Sequence, residues 1–339
     1  MAVPNPDWAM KRRAFIGFLA AAVALPLGAI GLGTVPSSAQ TYPAKPIRII
    51  VPTSPGGITD TLARALAQRL TESLGQQVIV ENRPAGAGHI GMDFVAKAAP
   101  DGHTLVVAAD ASFVVNPHLY SKLSYDPIND FVPVSGLGIS PQALLLHPSV
   151  PPNTLSELVA YAKAKPGELN YGTFGVGTSG HLNIIAIESE TGAKFAPVHY
   201  RGAAPAITDL LGGHIQMMIV AIGLVQQNLQ AGKLKALGIG SSARLPQYPD
   251  LPAIAESLPG FLAGSWYGLA APAGTPRDIV DRLSAETQKI FSDPEFRDKF
   301  LAPAVTFSIA SPPDQFAARI RADFAKWGKV IKDAGVKVE

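Results

Sequence analysis

The sequence contains no cysteine. Disulfides are thereby excluded, as are thiolate metal ligands, thiol nucleophiles and a lipid-modified N-terminal cysteine. Stability has to come from a core, and a chain of 339 residues that is 47% hydrophobic, long enough for two domains, can supply one. Charge is also scarce: Asp, Glu, Lys and Arg make up 16% of the residues and nearly cancel, to a formal +2. Such a composition excludes a disordered chain. No basic run is interleaved with aromatics, so nothing points to a nucleic-acid partner. The histidines show no H-E-x-x-H or closely paired spacing, and no metal site is expected.

What is present begins with a three-part N-terminus. Lys11, Arg12 and Arg13 precede an uncharged apolar stretch from Ala14 to about Val35, and Ser37-Ser38-Ala39 places small residues before Gln40. This is the layout of a secretory signal. Arg12-Arg13 before Ala14-Phe15-Ile16 resembles a twin-arginine signal, and Met10 opens a more typical leader than Met1 does. The apolar stretch is long enough to span a membrane. Gly17, Gly28, Gly31, Gly33, Pro26, Pro36 and the small-residue site argue instead for removal. Residues 1–39 are therefore expected to be a signal peptide cleaved after about Ala39, leaving the mature protein in the periplasm.

From Tyr42 onward strand and helix signals alternate. Ile47 to Val51 is a buried-strand run ended by Pro52. The loop Thr53-Ser54-Pro55-Gly56-Gly57-Ile58 leads into a helix with Leu62, Leu66, Leu70 and Leu74 on one face, stopped by Gly75. Val78 to Val80, Leu105 to Ala108 and Gln142 to Leu146 continue as strands. Beyond Pro151, helices at Leu155 to Lys163, His181 to Thr191 and Ala203 to Leu211 alternate with strands at Asn170 to Thr173, Ile215 to Ala221 and Leu234 to Ile239. Trp266 to Ala270 is a further apolar run, and a tail helix carries Phe316, Ile320, Phe324, Trp327 and Ile331 on one face. The alternation predicts an α/β fold with largely parallel sheet and helices on both faces.

Two segments match a dinucleotide fingerprint as strings. In Gly86-Ala87-Gly88-His89-Ile90-Gly91 the residues Glu81 to Ala85 separate the glycines from the strand end, so the helix tip cannot meet a pyrophosphate. Gly175-Val176-Gly177-Thr178-Ser179-Gly180 follows its strand closely and opens a helix, but no acidic residue ends a following strand in register. No nucleotide cofactor is expected, while an anion site at the helix tip remains. Ser179 is out of place for a G-x-S-x-G elbow. Pro55-Gly56-Gly57 and Gly177-Thr178-Ser179-Gly180 thus form a pair of similar devices, each offering backbone N–H groups, hydroxyls and the positive end of a helix. Spacing alone fits ordinary strand-to-helix turns equally well. Asp60 suits either a helix cap or an acceptor for a ligand hydroxyl or ordered water, and Arg201 either a carboxylate partner or a surface residue.

Taken together these residues resemble one family. Tyr42-Pro43, Pro46 to Pro52, Pro55-Gly56-Gly57 through Asp60, and Val80-Glu81-Asn82-Arg83-Pro84 look like the start of the Bug proteins, the substrate-binding components of tripartite tricarboxylate transporters. Pro100-Asp101-Gly102, Gly177 to Leu182, Tyr200 to Ala206, Asp209 to Gly213, Ala231 to Leu234 and Ala271 to Pro276 continue the likeness in order. The resemblance implies a type II periplasmic-binding-protein fold of two α/β lobes with a hinge of two crossing strands, near Gln142 to Leu146 and Trp266 to Ala270. The lobes would be 42–143 with 266–339, and 144–265. It further implies no catalysis, no cofactor, a monomer, a small carboxylated ligand (di- or tricarboxylate, aromatic acid or acidic amino acid) and delivery to membrane permease subunits. By matching position the ligand would meet Thr53, Pro55, Gly56, Gly57, Asp60, Ala109 and Asp110 on one side, and Thr178, Ser179, His181, Arg201, Gly202 and Asp209 on the other. Asp110 stands where many relatives carry a small neutral polar residue, and Ile215-Gln216 replaces a frequent valine-aspartate pair. Two rival functions are a sensor that docks on a membrane kinase and, more remotely, an exported hydrolase built on Ser179.

Overall fold

The structure, a computed structural model, describes residues 42–84, 88–200 and 202–335. The signal-peptide reading, Arg201 and the first two residues of the Gly86 motif lie outside the described residues. The strands are β1 Ile47–Val51, β2 Val78–Asn82, β3 Thr104–Ala109, β4 Phe131–Leu146, β5 Asn170–Thr173, β6 Ala196–His199, β7 Met217–Ala221, β8 Lys235–Ile239, β9 Gly264–Pro272 and β10 Phe307–Ser311. The helices are α1 Ile58–Leu74, α2 His89–Ala96, α3 Asn116–Leu119, α4 Leu155–Ala164, α5 Ser179–Thr191, α6 Ala203–Leu211, α7 Gln226–Gln230, α8 Arg277–Ser292, α9 Pro294–Phe296 and α10 Pro313–Ala334.

The strands run in the order β2-β1-β3-β9-β4-β7-β5-β6, with β10 and β8 also pairing β4. The expectation of a largely parallel sheet is corrected here. β1, β2 and β3 are parallel, as are β5, β6 and β7, but β9 is antiparallel to both β3 and β4, and β4 is antiparallel to β7, β8 and β10. The antiparallel members are those that return the chain from one βαβ group to the other. A periodicity reading cannot assign strand direction to such connections.

β4 is the longest strand and serves both groups. Its first part pairs β9 as far as Ser140↔Ser265 and Pro141↔Gly264, and its second part pairs β7 from Gln142↔Ala221 onward. Register shifts lie at Pro133/Ser135 and Gly136/Gly138, the first where proline withholds its N–H from the ladder. The chain also passes between groups just before β9. Gln142 N–H donates to Ala263 O (3.0 Å), Ala263 N–H to Gly240 O (2.9 Å) and Gly240 N–H to Gln142 O (2.7 Å). The crossing points therefore sit at Pro141–Gln142 and Ala263–Gly264, at the ends of the two segments expected to cross.

Alternation along the strands builds a core on each face. In the first group, Ile49, Val51, Leu105, Val107 and Leu269 pack against Leu62, Leu66 and Leu70 of α1 and Val280, Leu283 and Phe291 of α8. Ile50, Val106, Ala108 and Ala270 face the other way, onto Phe113 and Phe316 and Ile320 of α10. In the second group Leu144, Leu146, Met217 and Ile219 meet α4 and α5, while Ala143, Leu145, Met218 and Val220 meet α6. These strands are buried on both sides and read as continuous apolar runs for that reason.

Candidate functional site

The register places the carboxyl ends of β1, β2 and β3 on one edge of the first group. β4 runs parallel to them through the antiparallel β9 and reaches that same edge at Pro141. It then enters the second group at the carboxyl end of β7. The two carboxyl edges thus meet at the Pro141–Gln142 crossing. Loops at such an edge are where open α/β sheets bind ligands, because helix N-termini converge there.

The first loop joins β1 to α1. Pro52 is buried at its base and wedged against Gly88 and Gly91, where an added Cβ would lie 2.9 Å from Pro52 O and 3.0 Å from Pro52 Cβ respectively. Pro55 and Gly56 are exposed, and Gly56 has φ +86°, a left-handed conformation that favours glycine. Gly57 is the N-cap of α1, and no side chain caps that helix. Among the described residues the N–H groups of Gly57, Ile58 and Thr59 have no protein acceptor. Thr53 Oγ1 is buried and also lacks a protein partner.

Asp60 does not cap α1, contrary to one of the two expectations, and its carboxylate is held within the protein. It is 4% exposed, and it accepts from Gly56 N–H (3.0 Å), Asn82 Nδ2 (2.9 Å) and Arg64 Nε (3.1 Å), with Arg64 Nη2 3.0 Å away. Burial would raise its pKa, but the Arg64 fork and the Gly56 and Asn82 donors hold it below the ordinary value. Asn82 donates as well to Thr53 O (3.1 Å), so the network fixes the whole loop.

At the end of β3, Ala109 pairs Tyr267 and Asp110 begins the next helical turn. Asp110 is buried, and its carboxyl accepts from Ser265 Oγ (2.6 Å) and Ala111 N–H (2.9 Å). Burial pushes its pKa up to about 6 despite those donors, with Asp323 adding to the rise. Its partners tie β3 to the start of β9.

The second loop joins β5 to α5. Thr178 is the N-cap, and its Oγ1 donates to Gly175 O (2.8 Å) instead of capping the helix. The N–H groups of Ser179 and Gly180 have no protein acceptor among the described residues. Ser179 Oγ accepts from Gln142 Nε2 (2.6 Å), and Gln142 Oε1 accepts from Asn183 Nδ2 (2.8 Å). Among the described residues no imidazole or carboxylate is hydrogen-bonded to Ser179, so they do not build the geometry of an activated serine. His181 Nδ1 accepts from Gly177 N–H (3.0 Å), which makes Nε2 the protonated ring nitrogen. Burial, with His199 beside it, pushes the His181 pKa down to about 4. Leu119 of α3 sits where a Gly177 side chain would be, 1.7 Å from an added Cβ, and so joins this loop to the first group.

Gly202 is the N-cap of α6 at φ +133°, with nothing within 4 Å of an added Cβ. Asp209 lies toward the far end of α6, accepting from Tyr200 OH (2.7 Å). The structure therefore brings Thr53, Gly56, Gly57, Ala109, Thr178 and Ser179 to the two edges. It turns Asp60, Asp110, His181 and Asp209 to supporting contacts. Sequence reasoning did not anticipate Gln142, Asn183, Arg64, Asn82 and Ser265, which hydrogen-bond the expected residues or their partners. Only Asn82 had a signal, as a polar residue in the quoted Val80 to Pro84 motif.

The profile of the family described as "Tripartite tricarboxylate transporter family receptor" matches residues 62–336. The chain is similar to protein BugT of Bordetella pertussis, 37% identical over 306 residues, covering 90% of this chain and 94% of BugT. Among solved structures, Rpa4515 of R. palustris with adipate superposes with a TM-score of 0.83 at 32% identity, covering 87% of this chain and 99% of that one. MatC from Rhodopseudomonas palustris with bound malate gives a TM-score of 0.78 at 32% identity, covering 86% and 100%.

Proposed function

We propose a function from one premise: this chain belongs to the family of tripartite tricarboxylate transporter receptors. It is a periplasmic solute-binding protein of the periplasmic-binding-protein fold and not an enzyme. The finer reading is that it captures a small dicarboxylate between a lobe of 42–143 with 266–339 and a lobe of 144–265, and passes it to membrane permease subunits. One carboxylate would be held by the amides at the α1 tip with Thr53 Oγ1 and Gly57, the other end of the ligand by the α5 tip with Ser179, and Gly202 would leave room for it. The single observation that carries this reading is the pair of uncapped helix tips at the carboxyl edges, whose first N–H groups lack protein acceptors among the described residues. Adipate and malate in two solved relatives support dicarboxylates as the first class to test. Closure would follow because the ligand touches both lobes only when they approach.

Isothermal titration of ligand-stripped protein against adipate, malate, citrate, aromatic acids and acidic amino acids is the direct test. The expected result is binding of at least one dicarboxylate, weakened at least tenfold, about 1.4 kcal/mol, by Gly57→Val. Gly57 has φ −82° and only Ser54 O, at 4.0 Å, near an added Cβ, so the first carbon of a side chain displaces no neighbour there. A panel without heat at any acid, or unchanged affinity in a folded Gly57→Val protein, removes the α1 tip from the site.

A further inference from the structure

The two tips share a device that their sequences do not advertise. In α1 the residue before the N-cap, Gly56, is left-handed (φ +86°), and its N–H donates to the side chain four positions on, Asp60. In α5 the residue before the N-cap, Gly177, is left-handed (φ +75°), and its N–H donates to the side chain four positions on, His181. The N-caps are both extended, Gly57 at ψ 171° and Thr178 at ψ 160°. In an ordinary capping box a side chain at this third helical position takes the N-cap N–H itself. Here each reaches one residue further back, which pins the turn and leaves the first helical amides uncovered. From that match we infer that Asp60 and His181 are positioning residues for the ligand, each clasping the glycine turn that aims its helix tip.

The chemistry of the two clasps suits an anion. Asp60 brings a carboxylate close to the α1 tip, yet it is forked by Arg64 and bonded by Asn82, so its charge is compensated. His181 serves only as neutral imidazole, because a proton on Nδ1 would turn the acceptor into a second donor facing Gly177 N–H. Neither clasp sets an uncompensated negative charge against an incoming acid. This inference rests on the reading that both tips hold the ligand, and it adds what shapes them.

The asparagine side chain places an acceptor oxygen where the histidine Nδ1 lies, whereas glutamine places it one bond further out. In purified protein, amide hydrogen exchange at Gly177 is expected to be at least tenfold faster in His181→Gln than in wild type, with His181→Asn restoring protection. Adipate affinity, or that of whichever panel acid binds, is expected to fall at least tenfold in His181→Gln and to return within threefold in His181→Asn. Asp60→Ala is expected to free the Gly56 amide and weaken binding in the same way. Unchanged exchange in His181→Gln or Asp60→Ala overturns the clasps, as does wild-type affinity in either variant once its glycine amide is freed. If wild type binds no acid in the panel, the dicarboxylate reading fails by itself, and the exchange rates still decide whether the clasps exist.

Discussion

Asp110 and His181 are both buried, both titrate away from their ordinary range, and they do so with opposite consequences for stability. His181 has its pKa pushed down to about 4, so between about pH 6.5 and 4 the unfolded chain binds a proton that the folded one refuses. Stability from this residue is lost as the pH falls. Asp110 has its pKa raised to about 6, so between about pH 4 and 6 the folded chain holds a proton that the unfolded one gives up. Stability from this residue is lost as the pH rises. Each shift corresponds to roughly 3 kcal/mol over its full range, and in wild type the two largely cancel. Asp110→Asn removes one side of the balance. That variant is expected to lose about 2 kcal/mol more than wild type between pH 7 and 4.5, read from urea denaturation at the two values. An equal loss in both proteins would show that Asp110 titrates normally. The same pair illustrates what a sequence conveals at this scale. Asp110 can be seen to follow a strand, but its bond to Ser265 joins positions far apart in the chain.

Packing of whole elements is close where α10 lies on β9. The Phe316 ring occupies the space above Gly268, with Phe316 Cζ 1.9 Å from where a Cβ would be. Gly268→Ala must push that ring away and is expected to cost about 1–3 kcal/mol by denaturant unfolding. A cost near zero would mean that α10 can lift from the sheet without penalty. Elements of this kind were legible to differing degrees. The helix expected over Ala203 to Leu211 has those bounds in the structure, and the tail helix does turn Phe316, Ile320 and Ile331 inward. No element was assigned over Arg277–Ser292, although Val280, Leu283, Thr287 and Phe291 form its buried stripe. Only the last part of β4 was expected, because Pro133, Gly136, Gly138 and Pro141 break the apolar pattern that marks a strand. The glycine turns before α1 and α5 were visible as motifs. The clasping side chains lie only four positions on, but their bonds depend on the left-handed glycine turns. Gln142 against Ser179 is a tertiary contact that spacing does not encode.

The whole molecule has two crossing points, at Pro141–Gln142 and Ala263–Gly264, and a closing motion would turn about them. An acid bound at both tips is expected to contract the protein in solution scattering and to raise its thermal midpoint. At a ligand concentration 100 times Kd the stabilisation is about 2.7 kcal/mol. A midpoint that rises without contraction would mean binding to one half alone. The order of the strands carries a further consequence, for how the chain is made. β9 separates β3 from β4, yet it follows both in sequence, after all of β5 to β8. Until Gly264 and its successors emerge, β3 and the first part of β4 have no partner across that gap, and their facing edges carry apolar residues such as Val106, Val107 and Leu137. The first group of strands therefore cannot be completed until β9 has been made. A nascent chain with two sticky, unmatched edges is best kept unfolded until its last quarter arrives.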